Sequence, residues 1–220
     1  MKFIIPTILG YLLGSLSPAA LIGKLKKVNL RKSGTGNLGA TNTALMMGRR
    51  FGFAVMLFDI FKGSLAVVIS KLMFAESAYL SGLLAGSSAV IGHMFPFYMK
   101  FKGGKGLAAY GGMVLAYEPV IFLILFAVGL VCMIVFKYCV ALTVSAAALF
   151  PAAVALGSLG SPDLIPLTAI AAATSAVFIL RHKDNIARAI NGEEPTAKFF
   201  FKKLFERKRP SIGEETAKEQ

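Results

Sequence analysis

Residues 51–74 read FGFAVMLFDIFKGSLAVVISKLMF, an apolar run carrying only Asp59, Lys62 and Lys71 as charges. About 20 such residues are enough for a helix to cross the hydrocarbon core of a bilayer. Comparable runs lie on either side, at 3–23, 78–97, 119–137, 138–157 and 162–180, with a shorter one at 107–117. Hydrophobic residues make up 56% of the 220-residue chain and mean hydropathy is +0.69, well above ordinary globular composition. No run alternates with the period of a barrel strand, so helices must satisfy the backbone in lipid. The chain reads as an all-α membrane protein, a polytopic helical bundle forming one domain over 1–194 and followed by a tail over 195–220.

Lysine and arginine set the expected orientation. Lys24, Lys26, Lys27, Arg31, Lys32, Arg49 and Arg50 follow the first run, Lys100, Lys102 and Lys105 follow the third, and the tail from Arg181 to Arg209 is richer still. The opposite turns hold Lys71, Glu76, Asp163 and little else. The positive-inside rule therefore places the three basic regions and the C-terminus in the cytoplasm, with the N-terminus outside. Seven crossings meet that condition if 107–117 crosses as a short or tilted helix; five crossings with two re-entrant segments are the alternative.

The net charge of +13 then serves orientation and attraction to anionic lipid headgroups. No nucleic-acid module accompanies it, so no nucleic-acid partner is expected. Met1-Lys2 opens an uncleaved first helix, because the apolar run is long for a signal peptide and Ser17-Pro18-Ala19-Ala20 is a poor cleavage site. Cys132 and Cys139 sit in or beside apolar runs without ligand spacing and read as buried free thiols. Phe199, Phe200, Phe201, Leu204 and Phe205 among Lys198, Lys202 and Lys203 suit an amphipathic surface helix. Glu206 to Gln220 reads as disordered.

Two glycine-rich basic loops carry the candidate chemistry. Gly34-Thr35-Gly36-Asn37-Leu38-Gly39-Ala40-Thr41-Asn42 matches the dinucleotide fingerprint by letter, yet a membrane helix precedes it where that fingerprint needs a strand. Glycines there expose N–H groups, while Thr35, Asn37, Thr41 and Asn42 can donate to oxyanions; a plain tight turn fits the composition equally. Phe101-Lys102-Gly103-Gly104-Lys105-Gly106 lacks the ending of a Walker loop but forms a candidate phosphate nest at the start of a helix, or else an interface turn. Asp59 and Lys62 share one helix face, either as a mutually neutralising structural pair or as the lining of a polar cleft. His93 and His182 have no histidine at i+4 and no carboxylate cluster, so no metal is expected, and no Ser/His/Asp set points to covalent hydrolysis.

Together the three basic regions resemble the acyl-phosphate:glycerol-3-phosphate acyltransferase family of bacterial membranes. Gly14-Ser15 with Leu30-Arg31-Lys32-Ser33-Gly34 through Asn42 resembles its first motif, and Asp59-x-x-Lys62-Gly63 recurs in it. Gly92-His93-x-Phe95-Pro96 with Phe101 to Gly106 resembles the second motif, and Arg181-His182-Lys183-Asp184-Asn185-Ile186 with Gly192-x-Glu194 the third. The resemblance implies acyl transfer from acyl phosphate to the 1-hydroxyl of glycerol 3-phosphate, giving lysophosphatidate, at the cytoplasmic face of the bacterial inner membrane. It implies no cofactor, and it makes the soluble enzyme that produces acyl phosphate a candidate partner.

On that resemblance Thr35, Gly36, Asn37, Thr41, Asn42, Gly103, Gly104, Lys105 and Gly106 hold phosphate. His182, Asn185 and Lys105 are the catalytic candidates, and Asp59, Lys62, His93 and Glu194 are cleft or structural groups. The family usually has serine where this chain has Thr35, which keeps the hydroxyl. It has arginine at position 45, where this chain has Leu45, and a hydroxyl-bearing residue at Ala109. Arg49, one helical turn beyond Leu45, is expected to take over the missing charge if the stretch is one helix. A transporter or channel for an anionic solute, or a non-catalytic lipid-binding relative, are the alternative functions.

Overall fold

A computed structural model describes residues 1 and 3–198 of the chain. Ten α-helices make up the described part: α1 (Ile4–Ser15), α2 (Pro18–Leu25), α3 (Ala40–Met47), α4 (Arg49–Met73), α5 (Ala78–Met94), α6 (Leu107–Tyr117), α7 (Pro119–Phe136), α8 (Cys139–Gly157), α9 (Leu164–Leu180) and α10 (Lys183–Ile190). Among the described residues, five spans are long and apolar enough to cross a bilayer: Ile4–Leu25, Arg49–Met73, Ala75–Met99, Pro119–Phe136 and Cys139–Gly157. A sixth is counted if α9 and α10, bent by 59° at their junction, form one span. The expected amphipathic helix and the disordered stretch beyond Lys198 lie outside the described residues.

The first span is broken, where the sequence suggests one continuous helix. Pro18 has no N–H and its ring clashes with the carbonyl four residues back, so α1 must end before it. The freed backbone is satisfied from neighbouring elements, as a low-dielectric surrounding demands. Ser17 accepts from the Ala20 N–H at 3.3 Å, the Tyr98 hydroxyl donates to the Ser15 carbonyl at 2.7 Å, and Lys62 Nζ donates to the Leu16 carbonyl at 2.7 Å.

Small residues let α1 and α5 pack at backbone distance. A Cβ on Gly14 would stand 1.9 Å from the Ala89 carbonyl oxygen, and one on Gly10 2.0 Å from that of Ala85. Gly10-x-x-x-Gly14 facing Ala85-x-x-x-Ala89 is the small-residue pairing by which membrane helices approach closely. Gly14→Leu should therefore lower stability by about 3 kcal/mol or more, read as an earlier thermal transition in detergent. Gly111→Ala, whose new Cβ would meet nothing nearer than 3.8 Å, should leave that transition in place.

α6 supplies the interior of the bundle. Its 11 residues rise only about 16 Å, roughly half a hydrocarbon core. Ala109, Tyr110, Met113, Val114 and Tyr117 are all buried in the main apolar cluster with Phe150 and Phe178. A Cβ on Gly63 would stand 2.3 Å from the Ala109 carbonyl oxygen, which explains the glycine at 63. Lys71 closes the far end of α6 by donating to the carbonyls of Ala116 (3.1 Å) and Tyr117 (2.6 Å).

Two expectations are corrected. Leu45 and Arg49 do not share a helix: Gly48 adopts φ +99°, ending α3 at Met47 and starting α4 at Arg49. That left-handed φ favours glycine and interrupts the α-helical repeat, so the expected one-turn relation is lost. Cys132 and Cys139 are free but only half-buried, because α7 and the start of α8 lie at the periphery and expose large apolar side chains such as Val131 and Ile134.

Candidate active site

The three basic regions meet at one end of the bundle, around residues 101–106. Lys100 and Phe101 turn the chain there with positive φ of 54° and 56°. The N–H groups of Gly103 and Gly104 then donate to the carbonyls of Met94 (3.0 Å) and His93 (3.2 Å), folding the loop back onto α5. Only glycine fits at 104. A Cβ there would lie 2.2 Å from His93 Nε2 and 2.8 Å from the Leu38 carbonyl oxygen. Gly106 caps the start of α6.

Each neighbouring region sends a side chain to this loop. The Arg31 guanidinium donates to the Lys102 carbonyl, and Arg181 donates to the Gly104 carbonyl at 3.2 Å while lying over the Phe95 ring. Lys105 Nζ donates to Asn185 Oδ1. Asn185 Nδ2 donates in turn to Glu194 at 2.5 Å, and Arg188 Nε donates to the other carboxylate oxygen at 2.8 Å. Beyond Glu194, the Ala197 N–H donates to the Lys137 carbonyl at 2.7 Å, tying this segment to the α7–α8 turn.

Burial holds the Lys105 ammonium below the usual lysine range, Arg188 pushes the same way, and Glu194 and Asp184 act against it. An incoming phosphate dianion favours the charged form and reverses that depression. Burial pushes His182 down to about 4, partly offset by its bond to the Phe178 carbonyl. His182 Nδ1 lies 2.9 Å from that oxygen. With a neutral ring this assigns the proton to Nδ1 and leaves the Nε2 lone pair as an acceptor.

The histidine carries a pH prediction. Because its folded pKa lies below the unfolded value of about 6.5, the unfolded chain takes up a proton that the folded protein refuses as pH falls. Stability should therefore drop between pH 6.5 and pH 4 by about 3 kcal/mol more in wild type than in His182→Gln. Equal pH dependence of the two thermal transitions would overturn the assignment.

Asp59, Lys62 and His93 form a buried group beneath the loop. Lys62 Nζ lies 2.7 Å from Asp59 Oδ1 and donates to His93 Nδ1 at 2.9 Å and to the Leu16 carbonyl. Lys62 is 1% exposed, and His93 joins the buried pair as its third member.

Asn42 is corrected as a direct phosphate donor. It is fully buried, and both Nδ2 hydrogens are spent on the carbonyls of Leu30 (2.8 Å) and Ser33 (3.1 Å) while Oδ1 accepts from the Thr35 N–H (2.8 Å). It clamps the 30–35 turn so that Thr35 and Gly36 stay at the surface. Thr41 and Arg49 are exposed and Asn37 is half-buried. Arg31 and Arg181 also reach the loop and are not among the individual candidates read from the sequence. Their signal was an arginine beside each glycine-rich or histidine-bearing motif.

Fold and site together define an integral membrane helical bundle with a basic, glycine-rich loop cluster at one end. The chain matches the family Glycerol-3-phosphate acyltransferase over residues 4–192. It is 40% identical over 193 residues to a glycerol-3-phosphate acyltransferase of Geobacillus kaustophilus, covering 87% of this chain and 94% of the relative. It is 37% identical over 207 residues to one of Staphylococcus aureus, covering 90% of this chain and all of the relative. A crystal structure of PlsY, an integral membrane glycerol 3-phosphate acyltransferase in its glycerol 3-phosphate form, superposes with a TM-score of 0.77 at 33% identity, covering 94% of this chain and 100% of that one. The lysophosphatidic acid form gives 0.74 at 30% identity, covering 91% and 99%. This chain belongs to the glycerol-3-phosphate acyltransferase family.

Proposed function

We propose that this protein transfers a fatty acyl group from acyl phosphate to the 1-hydroxyl of glycerol 3-phosphate, releasing lysophosphatidate and inorganic phosphate. The observation that supports this most is the Lys105–Asn185–Glu194 chain set into a glycine loop on which the two other basic regions converge. The hydroxyl oxygen attacks the acyl carbonyl carbon, the carbon–oxygen bond to phosphate breaks, and the hydroxyl proton leaves to a phosphate oxygen or to His182 Nε2. Acyl phosphate is a mixed anhydride with a good leaving group, so the protein's work is positioning and charge stabilisation.

In this reading Lys105 and the loop N–H groups hold phosphate. Asn185, fixed by Glu194, keeps Lys105 in place, and neutral His182 accepts from the substrate hydroxyl. The basic end faces the cytoplasm of a bacterial cell, and the protein resides in its inner membrane. Purified protein in detergent, given acyl phosphate and glycerol 3-phosphate, should form lysophosphatidate and release phosphate in equal amounts. No product with this donor, but product with acyl-CoA or acyl carrier protein, would keep the acyl transfer and reject the donor.

Leu45 makes a further prediction. A charge-assisted donor to phosphate contributes about 1.5–3 kcal/mol. Leu45→Arg should then lower KM for glycerol 3-phosphate about tenfold in an already active enzyme. An unchanged KM would mean that other groups hold that phosphate.

A further inference from the structure

A second basic site lies beside the loop cluster, at the end of α2. A cavity of about 340 Å³ is lined by Lys24, Lys27, Asn29 and Arg31 over an apolar floor that includes Leu30 and Leu38. None of its lining residues is acidic, and neither Lys24 nor Lys27 is in an ion pair among the described residues. The chain holds the second cation there at a cost. Lys27 takes the left-handed conformation, φ 56°, at the end of α2, where the Val28 N–H closes back on the Gly23 carbonyl at 2.8 Å. That is the position a glycine ordinarily fills, and a non-glycine residue there is disfavoured.

We infer that this cavity binds the phosphate headgroup of an anionic membrane lipid, as a site separate from the one around Lys105. Three cations grouped around a cavity call for an anion, and Arg31 can share its guanidinium because only one of its terminal nitrogens is given to the Lys102 carbonyl. The membrane supplies the lipid directly. Leu21 and Leu25, one helical turn apart on α2 with Lys24 next to Leu25, are 60% and 72% exposed, so the cavity opens beside a face that meets acyl chains. Lys24 emerges from that apolar face with its charge at headgroup level, the arrangement long cationic side chains adopt at a bilayer boundary.

The test is native mass spectrometry of the full chain in detergent, titrated with short-chain phosphatidylglycerol, short-chain phosphatidylcholine and inorganic phosphate. Wild type should retain phosphatidylglycerol about tenfold to thirtyfold more tightly than phosphatidylcholine, as two lysines near a lipid surface provide. Lys24→Gln/Lys27→Gln should lose that preference, Lys24→Arg/Lys27→Arg should keep it, and Lys105→Ala should keep it too. Preference unchanged in the glutamine variant, or lost in Lys105→Ala, would overturn the inference. Inorganic phosphate binding as tightly as the lipid, and lost in the glutamine variant, would assign the cavity to a free phosphate and overturn the lipid reading.

Discussion

Lys105→Ala should reduce kcat/KM for acyl transfer by about 10²–10³ while leaving the thermal transition within a few degrees of wild type. The size follows from removing a preorganised cationic donor where charge develops in the reaction. The stability expectation follows from the loop's own construction. Gly103 and Gly104 anchor it to α5 through backbone bonds that do not involve the Lys105 side chain, and Arg181 holds the Gly104 carbonyl. Lys105→Arg should recover only part of the activity, because a planar fork does not replace a compact ammonium in a glycine nest. A fall of less than tenfold in Lys105→Ala would remove Lys105 from the chemistry and leave the loop as a structural turn.

Lys62→Met should produce the largest loss of stability, about 3–5 kcal/mol. Removing one partner leaves the Asp59 carboxylate buried without its cation, and it takes from the Leu16 carbonyl the donor that satisfies the break between α1 and α2. For a domain of this size the thermal transition should fall by about 10 °C or more. Asp59→Asn/Lys62→Met should recover part of that loss, since the stranded charge is gone. Normal thermal stability with a large rise in KM would instead place Lys62 in a substrate cleft.

Much of the architecture was legible because lipid imposes a simple rule. Backbone groups there have no water to turn to, so each long apolar run had to be a helix. The spans around 51–74, 78–97, 119–137, 138–157 and 162–180 appear as α4, α5, α7, α8 and α9 within a few residues. The break at Pro18 was in plain view in the sequence. A proline inside an apolar run does not itself say whether the helix kinks or ends, however, because that depends on whether Lys62 and Tyr98 arrive to satisfy the carbonyls. Gly10 and Gly14 also carried a readable pairing signal. Which helix they meet was set only when Ala85 and Ala89 came alongside.

The candidate site divides in the same way. The sequence by itself determined which segments are glycine-rich and basic, and so which of them could hold phosphate, because backbone N–H groups and cations have that property wherever they stand. Only the tertiary structure decided what each polar side chain is spent on. Asn42 and Thr35 are neighbours in one motif, yet burial directs Asn42 inward as a clamp and leaves Thr35 at the surface. Asp59, Lys62 and His93 come from two helices, and they become one buried group only when α4 and α5 pack. Lys105 and Asn185 are 80 residues apart. Their meeting depends on the 59° bend that turns α10 away from the line of α9 and on Glu194 folding back behind Asn185. Composition and spacing record what a segment can offer. Long-range packing sets which of those offers is made to a ligand and which to the protein itself.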